Sequence, residues 1–544
     1  MASIFREAPV GQICRLILGP QAAPYPDETK GFVWPQGSAT VLQSQSLPSN
    51  DNDPEKATAD GLAASGSQSS LKSDSDASLV EWYGADDPDN PQNWSTLKKS
   101  FTFFQICLLT FTVYGGSSII TPAQPTFMEI YGASSQESSL VLSMYVLGYG
   151  IGPLFFSPLS EIPRLGRNIP YMTSLLLYII ITIPASLVSS YPALVVLRFI
   201  QGLLGGPVLA TGGASAADIL GFHKIPYGLT FWTCAAYGGP SLGPLISAFA
   251  VTGSSWRWSM YELLMLGGFT FCLLFFCLPE TNPETILLRR AKRLRKVTRN
   301  PKLRSQSEIK QGDMNLLALM GQYLTTPFKV TVQDPSVAFI NIYTALIYSI
   351  YYSFFESFPI VYIGTYGFSI AIMSTVFVSL LIACAFGTTI YLLLVWFIYE
   401  PYTMKSGIGV PERRLLPGVF ASVFAPCGIF IFAWTSKASI HWIVPTIGIV
   451  IFAASMFILA NVIFIYLPTS YPRYSASLFA ANTFLRSALA CASIHFSRPL
   501  FANLGISKGC SLLAGLTAGC FFGVVGLWHF GARLRARSKF AETY

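Results

Sequence analysis

A chain of 544 residues carries 52% hydrophobic and only 11% charged side chains, with a formal net charge of +8 and a mean hydropathy of +0.49. A soluble chain is about a quarter charged, so this composition excludes a water-facing surface of ordinary size. The basic excess sits in short connections between apolar runs rather than along one polar face, which argues for a bilayer and against a nucleic-acid partner.

In chain order, residues 1–99 are polar, with a Ser/Asp-rich stretch at 65–78. They hold too little apolar area to fold alone and are expected to form a disordered tail. The opening run MASIFREAPVGQICRLILGPQ is interrupted by Arg15 and is too short and broken for a signal-peptide core. Runs able to cross a bilayer then recur at about 100–121, 138–158, 170–190, 193–216, 227–250 and 261–278. A basic connection covers about 279–336. Six more runs follow at about 337–359, 371–399, 415–434, 442–466, 475–496 and 509–530, ahead of a short tail at about 531–544. The chain therefore reads as an all-α polytopic membrane protein of twelve transmembrane helices, with six-helix halves over 100–278 and 337–530. Such a layout belongs to a transporter whose substrate site lies between two halves.

Lys and Arg collect on one side of these spans: Lys98, Lys99, Arg164, Arg167, Lys224, the linker run from Arg289 to Lys296, and the terminal run from Arg533 to Lys539. The opposite loops hold only Arg257, Lys437, Arg498 and Lys508. That asymmetry predicts both termini and the linker in the cytoplasm. Residues 284–296 (ETILLRRAKRLRK) either lie as an amphipathic helix on the anionic inner leaflet or serve only as a positive-inside signal. Trp256, Trp258, Tyr261, Trp434 and Trp442 fall at outer span ends, where interfacial anchors belong. Most of the ten cysteines sit inside apolar runs without ligand or disulfide spacing and read as packing residues.

Three segments carry chemistry. Between spans 2 and 3, SPLSEIPRLGRNIPY holds Glu161, Arg164, Gly166 and Arg167 in a very short turn. A carboxylate and two guanidiniums there can clamp neighbouring helix ends, or merely mark the inner side. In span 4, Arg198 stands inside an apolar helix and must find partners in the bundle interior. A structural arginine satisfied by carbonyls is the plainer alternative. In span 5, Gly239-Pro240 and Gly243-Pro244 bend the helix and free backbone carbonyls. In span 7, Glu356 is a carboxylate well inside an apolar run, costly as an anion and suited to cycling a proton, or else held at the outer end as a hydrogen-bonded acid. Gln124, Asn341, Tyr348, Tyr352, Asn461 and Arg486 are possible cavity-lining groups, and an aromatic content of 14% suits flat apolar cargo. The four histidines are scattered and no phosphate-binding loop appears, so no enzyme, metal site or cofactor is expected.

The turn between spans 2 and 3 resembles the Gly-x-x-x-Asp-Arg-x-Gly-Arg signature of the major facilitator superfamily, with Glu161 in the acid position and Ser157 replacing the first glycine. The longer GPLFFSPLSEIPRLGRNIPY is similar to the fungal drug:proton antiporters of that superfamily, as are WYGADDPDNPQNWS before span 1 and LPETNPETILLRR after span 6. The span 5 segment AAYGGPSLGPLISAF resembles the antiporter signature Gly-Pro-x-x-Gly-Gly, with Pro244 in place of the last glycine. Two positions depart from the pattern: Thr469 stands where an acid is usual, and SIHF at 493–496 replaces Phe-Pro-Leu-Phe. The resemblance implies a major facilitator fold of two six-helix bundles and a monomer that exports small organic cargo in exchange for protons, with Arg198 in the family's proton-coupling position. The implied cargo is apolar or cationic, such as a secondary metabolite or an antifungal, and the expected membrane is the plasma membrane or the vacuole. A proton-coupled nutrient importer on the same fold and a non-transporting sensor remain as rival readings.

Overall fold

The computed structural model describes residues 2–29, 78–311, 316–407, 409–471 and 475–541. With no water in a bilayer core, backbone groups must be paired within each segment, which leaves helix as the form for apolar runs. The first half comprises α1 (Thr96–Ser118), α2 (Leu140–Glu161), α3 (Asn168–Leu187), α4 (Tyr191–Gly205, continuing as Pro207–Ile219), α5 (Ile225–Gly253) and α6 (Trp258–Cys277). The second comprises α7 (Pro335–Phe358), α8 (Val378–Leu394), α9 (Leu416–Thr435), α10 (Ile443–Ser470) and the stretch Ser475–Arg537. That last stretch breaks at Gly505, whose φ of 75° and ψ of 161° are non-helical, into α11 and α12. Among the described residues ten helical stretches are apolar and long enough to cross a membrane; division of the longest and addition of the Gly/Pro-containing α5 make twelve spans.

Side-chain caps set several of the helix starts. Ser95 accepts from the Lys98 amide ahead of α1, and Asp334 accepts from the Ser336 and Val337 amides at the start of α7. Within the halves α1 packs on α5, α2 on α4, α7 on α11 and α9 on α10; across them α2 meets α11, and α5 meets α8 and α10.

The segments on the basic face differ from what composition predicts. Within residues 1–99, 2–29 contain the helices Ala2–Glu7 and Pro9–Leu18, and the latter rests on α6. Strand β1 (Ser78–Val80) pairs in parallel with β2 (Leu303–Ser305) of the linker. The Ser/Asp-rich stretch, Ser78 aside, lies outside the described residues. The linker helix Pro283–Thr298 turns Ala291 and Leu294 onto Val80 and Leu303, so this apolar face covers the strand pair instead of lipid. Its arginines are spent the same way. Arg290 donates to both Asp87 oxygens at 2.6 and 3.0 Å and to Asp89 at 2.7 Å, and Arg293 reaches Asp27 at 3.3 Å while lying 3.6 Å above the Tyr25 ring. Polar tail segments order here because their acids meet arginines of a distant linker, a pairing that composition does not register. Two smaller departures follow from packing. Trp256 is buried against Phe127 rather than interfacial, and α12 runs on to Arg537 because Arg535 is held by Glu412.

Candidate functional site

The clamp on the basic face is built around Arg167, which gathers partners from several helix ends as well as lying near Glu161 of its own turn. Gly166 turns the chain at φ 71°, and a Cβ there would stand 2.4 Å from a Glu280 oxygen. Only glycine brings the backbone that close. Glu280, just after α6, then accepts from the amides of Arg167 at 3.0 Å and Asn168 at 3.4 Å. The Arg167 guanidinium donates to Asp218 at the end of α4, at 3.1 Å, and to Ser160 at 3.2 Å. The ends of α2, α3, α4 and α6 are thereby tied at one point. Glu161 is half-buried nearby, and Arg164 is exposed on a 460 Å³ basic cavity that Lys292, Arg295 and Arg304 also line.

Arg198 is fully buried and spans three helices. It donates to the Gly116 carbonyl at 2.7 Å and the Ser117 carbonyl at 3.1 Å on α1, to the Val141 carbonyl at 3.1 Å on α2, and to Gln201 at 2.8 Å. Its charge also lies 4.3 Å from the Tyr145 ring centre. These partners belong to the first half and none is a carboxylate.

The small residues of α5 face α1. A Cβ on Gly239 would meet the Gly115 amide at 2.7 Å, and one on Gly243 would meet Ser118 Oγ at 2.4 Å. Pro244 has no N–H, so the Pro240 carbonyl loses its helical partner; Ser118 Oγ donates to it at 2.9 Å. The freed carbonyl is thus buried and braced from the neighbouring helix.

Between the halves the contacts are hydroxyls and rings. Tyr149 of α2 bonds Tyr348 at 2.8 Å and Tyr352 at 3.0 Å on α7, and Ser117 of α1 also reaches Tyr352 at 3.1 Å. Arg486 of α11 donates to Tyr114 of α1 at 2.8 Å and lies 4.5 Å from the Tyr348 ring centre. Toward the far face Glu356, 2% exposed, accepts from Ser139 Oγ of the first half at 2.8 Å and lies 3.9 Å from Arg498. Gln124 lies beside the same carboxylate.

Two helical bundles meeting along such an aromatic seam resemble solved transporters. The human organic anion transporter MFSD10 superposes with a TM-score of 0.58 at 14% identity, over 78% of this chain and 99% of that one. Residues 106–494 match the family described as Major Facilitator Superfamily. The chain belongs to the major facilitator superfamily. Among curated relatives, the MFS-type transporter pyvG of Aspergillus violaceofuscus is 42% identical over 468 residues, 85% of each chain. The cycloheximide resistance protein of Candida maltosa is 37% identical over 553 residues, 99% of this chain and all of that one. The relationship places it with the fungal efflux branch of the superfamily.

Within that superfamily fold, the structure brings Glu356, Gln124, Tyr348, Tyr352 and Arg486 to the seam between halves. It does not bring Asn341 there: this side chain bonds Thr331 and Asn482, both of the linker and second half, at 3.0 Å each. Asn461 donates to the Phe457 carbonyl of its own helix at 2.9 Å. Three functional groups escaped sequence reasoning: Asp218, Glu280 and Tyr149. Asp218 could have been found as an acid closing an apolar run, had the span been extended to Ile219. Glu280 sits in a polar loop sequence and carries no periodic signal.

Proposed function

We propose that this chain is an efflux transporter that takes up protons in exchange for small organic cargo, by alternating access of a monomer in the plasma membrane with both termini in the cytoplasm. The observation that carries this reading is Glu356. It is a carboxyl group of the second half, 2% exposed, whose hydrogen-bond donor stands on the first half. Its protonation state is therefore tied to whether the halves touch, which is the linkage that proton coupling requires. Relatives named for cycloheximide and fluconazole resistance support export of foreign or secondary organic molecules.

The seam offers cargo a set of tyrosine faces and the buried guanidinium of Arg486. An apolar molecule bearing carbonyl or ring-nitrogen acceptors suits this surface better than an organic cation, which would meet like charge. Arg198, braced by carbonyls of α1 and α2, acts on coupling by holding Ser117 and the neighbouring turn against Tyr352.

The test is accumulation of a panel of neutral and cationic fluorescent compounds in cells expressing the wild type or Glu356→Gln, with and without a protonophore. Export predicts lower accumulation in wild-type cells, abolished both by the protonophore and by the substitution. Accumulation that rises with expression would instead identify an importer.

A further inference from the structure

Arg198 and Arg486 are both buried among the spans, and among the described residues neither has a carboxylate partner, yet they are satisfied very differently. All three nitrogens of Arg198 donate, and three of its four bonds go to backbone carbonyls. Arg486, 4% exposed on α11, donates from Nη2 to the Tyr114 hydroxyl at 2.8 Å, while its Nε has no hydrogen-bond partner among the described residues. The Tyr237 hydroxyl is within its reach, and the ring centres of Tyr348 and Phe464 lie 4.5 and 5.8 Å from the guanidinium. Hydroxyls and ring faces offset a buried charge only in part, because none carries a full negative charge. The guanidinium also stands on the seam itself: Tyr114 and Tyr237 belong to the first half, Tyr348 and Phe464 to the second. The nearby carboxylate of the seam, Glu356, is engaged by Ser139 and Arg498 and does not serve as its counter-charge.

We propose that Arg486 is the anion receptor of the cargo site, and that the preferred cargo is a flat aromatic acid with its carboxylate on Arg486 and its rings against Tyr149, Tyr348 and Tyr352. The proposal rests on the export reading above, which puts cargo at this seam, and narrows that cargo from an acceptor-bearing molecule to an anion. A guanidinium presents Nε–H and an Nη–H side by side, spaced to donate to both oxygens of one carboxylate. An amide offers the same edge a single neutral oxygen, and so leaves the charge uncompensated. The hydroxyls of Tyr149, Tyr348 and Tyr352 are already bonded to one another, so their ring faces are the surface left for the body of the cargo. Charge and aromatic area thus lie side by side, as they do in an aromatic acid.

The test is equilibrium dialysis of naphthoate and anthracene carboxylate, each beside its primary amide, against the purified full chain in detergent. It is run without a gradient at about pH 7.5, where the carboxyl groups are ionised. Anion recognition predicts that each acid binds about tenfold more tightly than its amide. Arg486→Gln should erase that preference by weakening the acids, whereas an arginine that merely braces α11 against α1 would on removal weaken acid and amide together. Arg486→Lys keeps the charge without the paired donors and should retain only part of the preference. Tyr114→Phe releases Nη2 and leaves the charge in place, so it should tighten the acids and not the amides. The wild-type contrast and Tyr114→Phe decide the matter even where Arg486→Gln does not fold. Equal binding of acids and amides by the wild type, no binding of either acid, or an acid preference that survives Arg486→Gln overturns the proposal. Because binding is read without transport, failure of proton-driven export and failure of anion recognition are separately visible.

Discussion

The basic face and the seam between the halves are held by opposite kinds of interaction. On the basic face the partners are ions: Arg167 with Asp218, Arg290 with Asp87 and Asp89, Arg293 with Asp27, and Arg535 with Glu412 by two bonds. Each of these pairs lies within one half or between tail and linker. Across the seam most bonds have a hydroxyl on at least one side, as with Tyr149, Ser117, Ser139, Ser143 and Tyr114, while Arg498 reaches the Ser135 carbonyl and Tyr227 donates to Glu400. A buried ion pair is expensive to part because each charge is left in low dielectric, whereas a hydroxyl bond is worth about 1 kcal/mol. On the proposed alternating-access reading, the halves would stay rigid through charge inside and part readily at the seam.

The strongest way to break this contrast is to strand a charge within the rigid part. Arg290→Ala leaves Asp87, whose side chain is fully buried, without its counter-charge; detachment of β1 from the linker at a cost of about 3–5 kcal/mol is expected. Faster hydrogen exchange over residues 78–93 would show it. The same pair sets a pH dependence. Burial alone would raise the Asp87 carboxyl, but Arg290 and the amides of Tyr83 and Asp89 hold it below the usual carboxylate range. Its contribution is complete above the unfolded value of about 3.9 and is lost as pH falls through the lower folded value. Protection of this segment should therefore persist at about pH 5 and decline only below about pH 4.

A smaller effect is expected where helices touch within the first half. Gly243→Ala pushes a methyl against Ser118 Oγ and against the Gly115 carbonyl, 2.8 Å away. A loss of about 1–3 kcal/mol, read as a lower thermal midpoint in detergent, is expected from such overpacking. The smallest change in stability belongs to the seam. Tyr149→Phe removes two hydroxyl contacts between halves and should cost about 1–2 kcal/mol, while shifting the distance between nitroxide labels at Gln136→Cys and Asn503→Cys, exposed positions of the two halves. A midpoint drop as large as that of Arg290→Ala would place the seam among the rigid contacts and dissolve the contrast.

Hydropathy made the membrane class, the twelve spans and the division into halves legible, because a bilayer enforces long uninterrupted apolar helices whatever surrounds them. Arg198 and Glu356 stood out for a related reason: a charge at membrane depth is costly enough to be visible in any context. Gly166 and Arg167 were readable through their motif, yet the partners that define the clamp were not. Asp218, Glu280 and Asp87 look like ordinary acids at helix ends or in polar loops, and each becomes specific only when a helix from elsewhere in the chain brings an arginine or an open amide to it. The sidedness of small residues in α5 was equally hidden, since glycine spacing shows that a helix is approached closely but not by which neighbour. The sequence alone thus determined which segments enter the membrane and which residues pay for being there. Tertiary structure decided the pairing, because contacts over separations as long as Arg290 to Asp87 or His495 to Ser143 are chosen by how whole helices pack rather than by any local pattern.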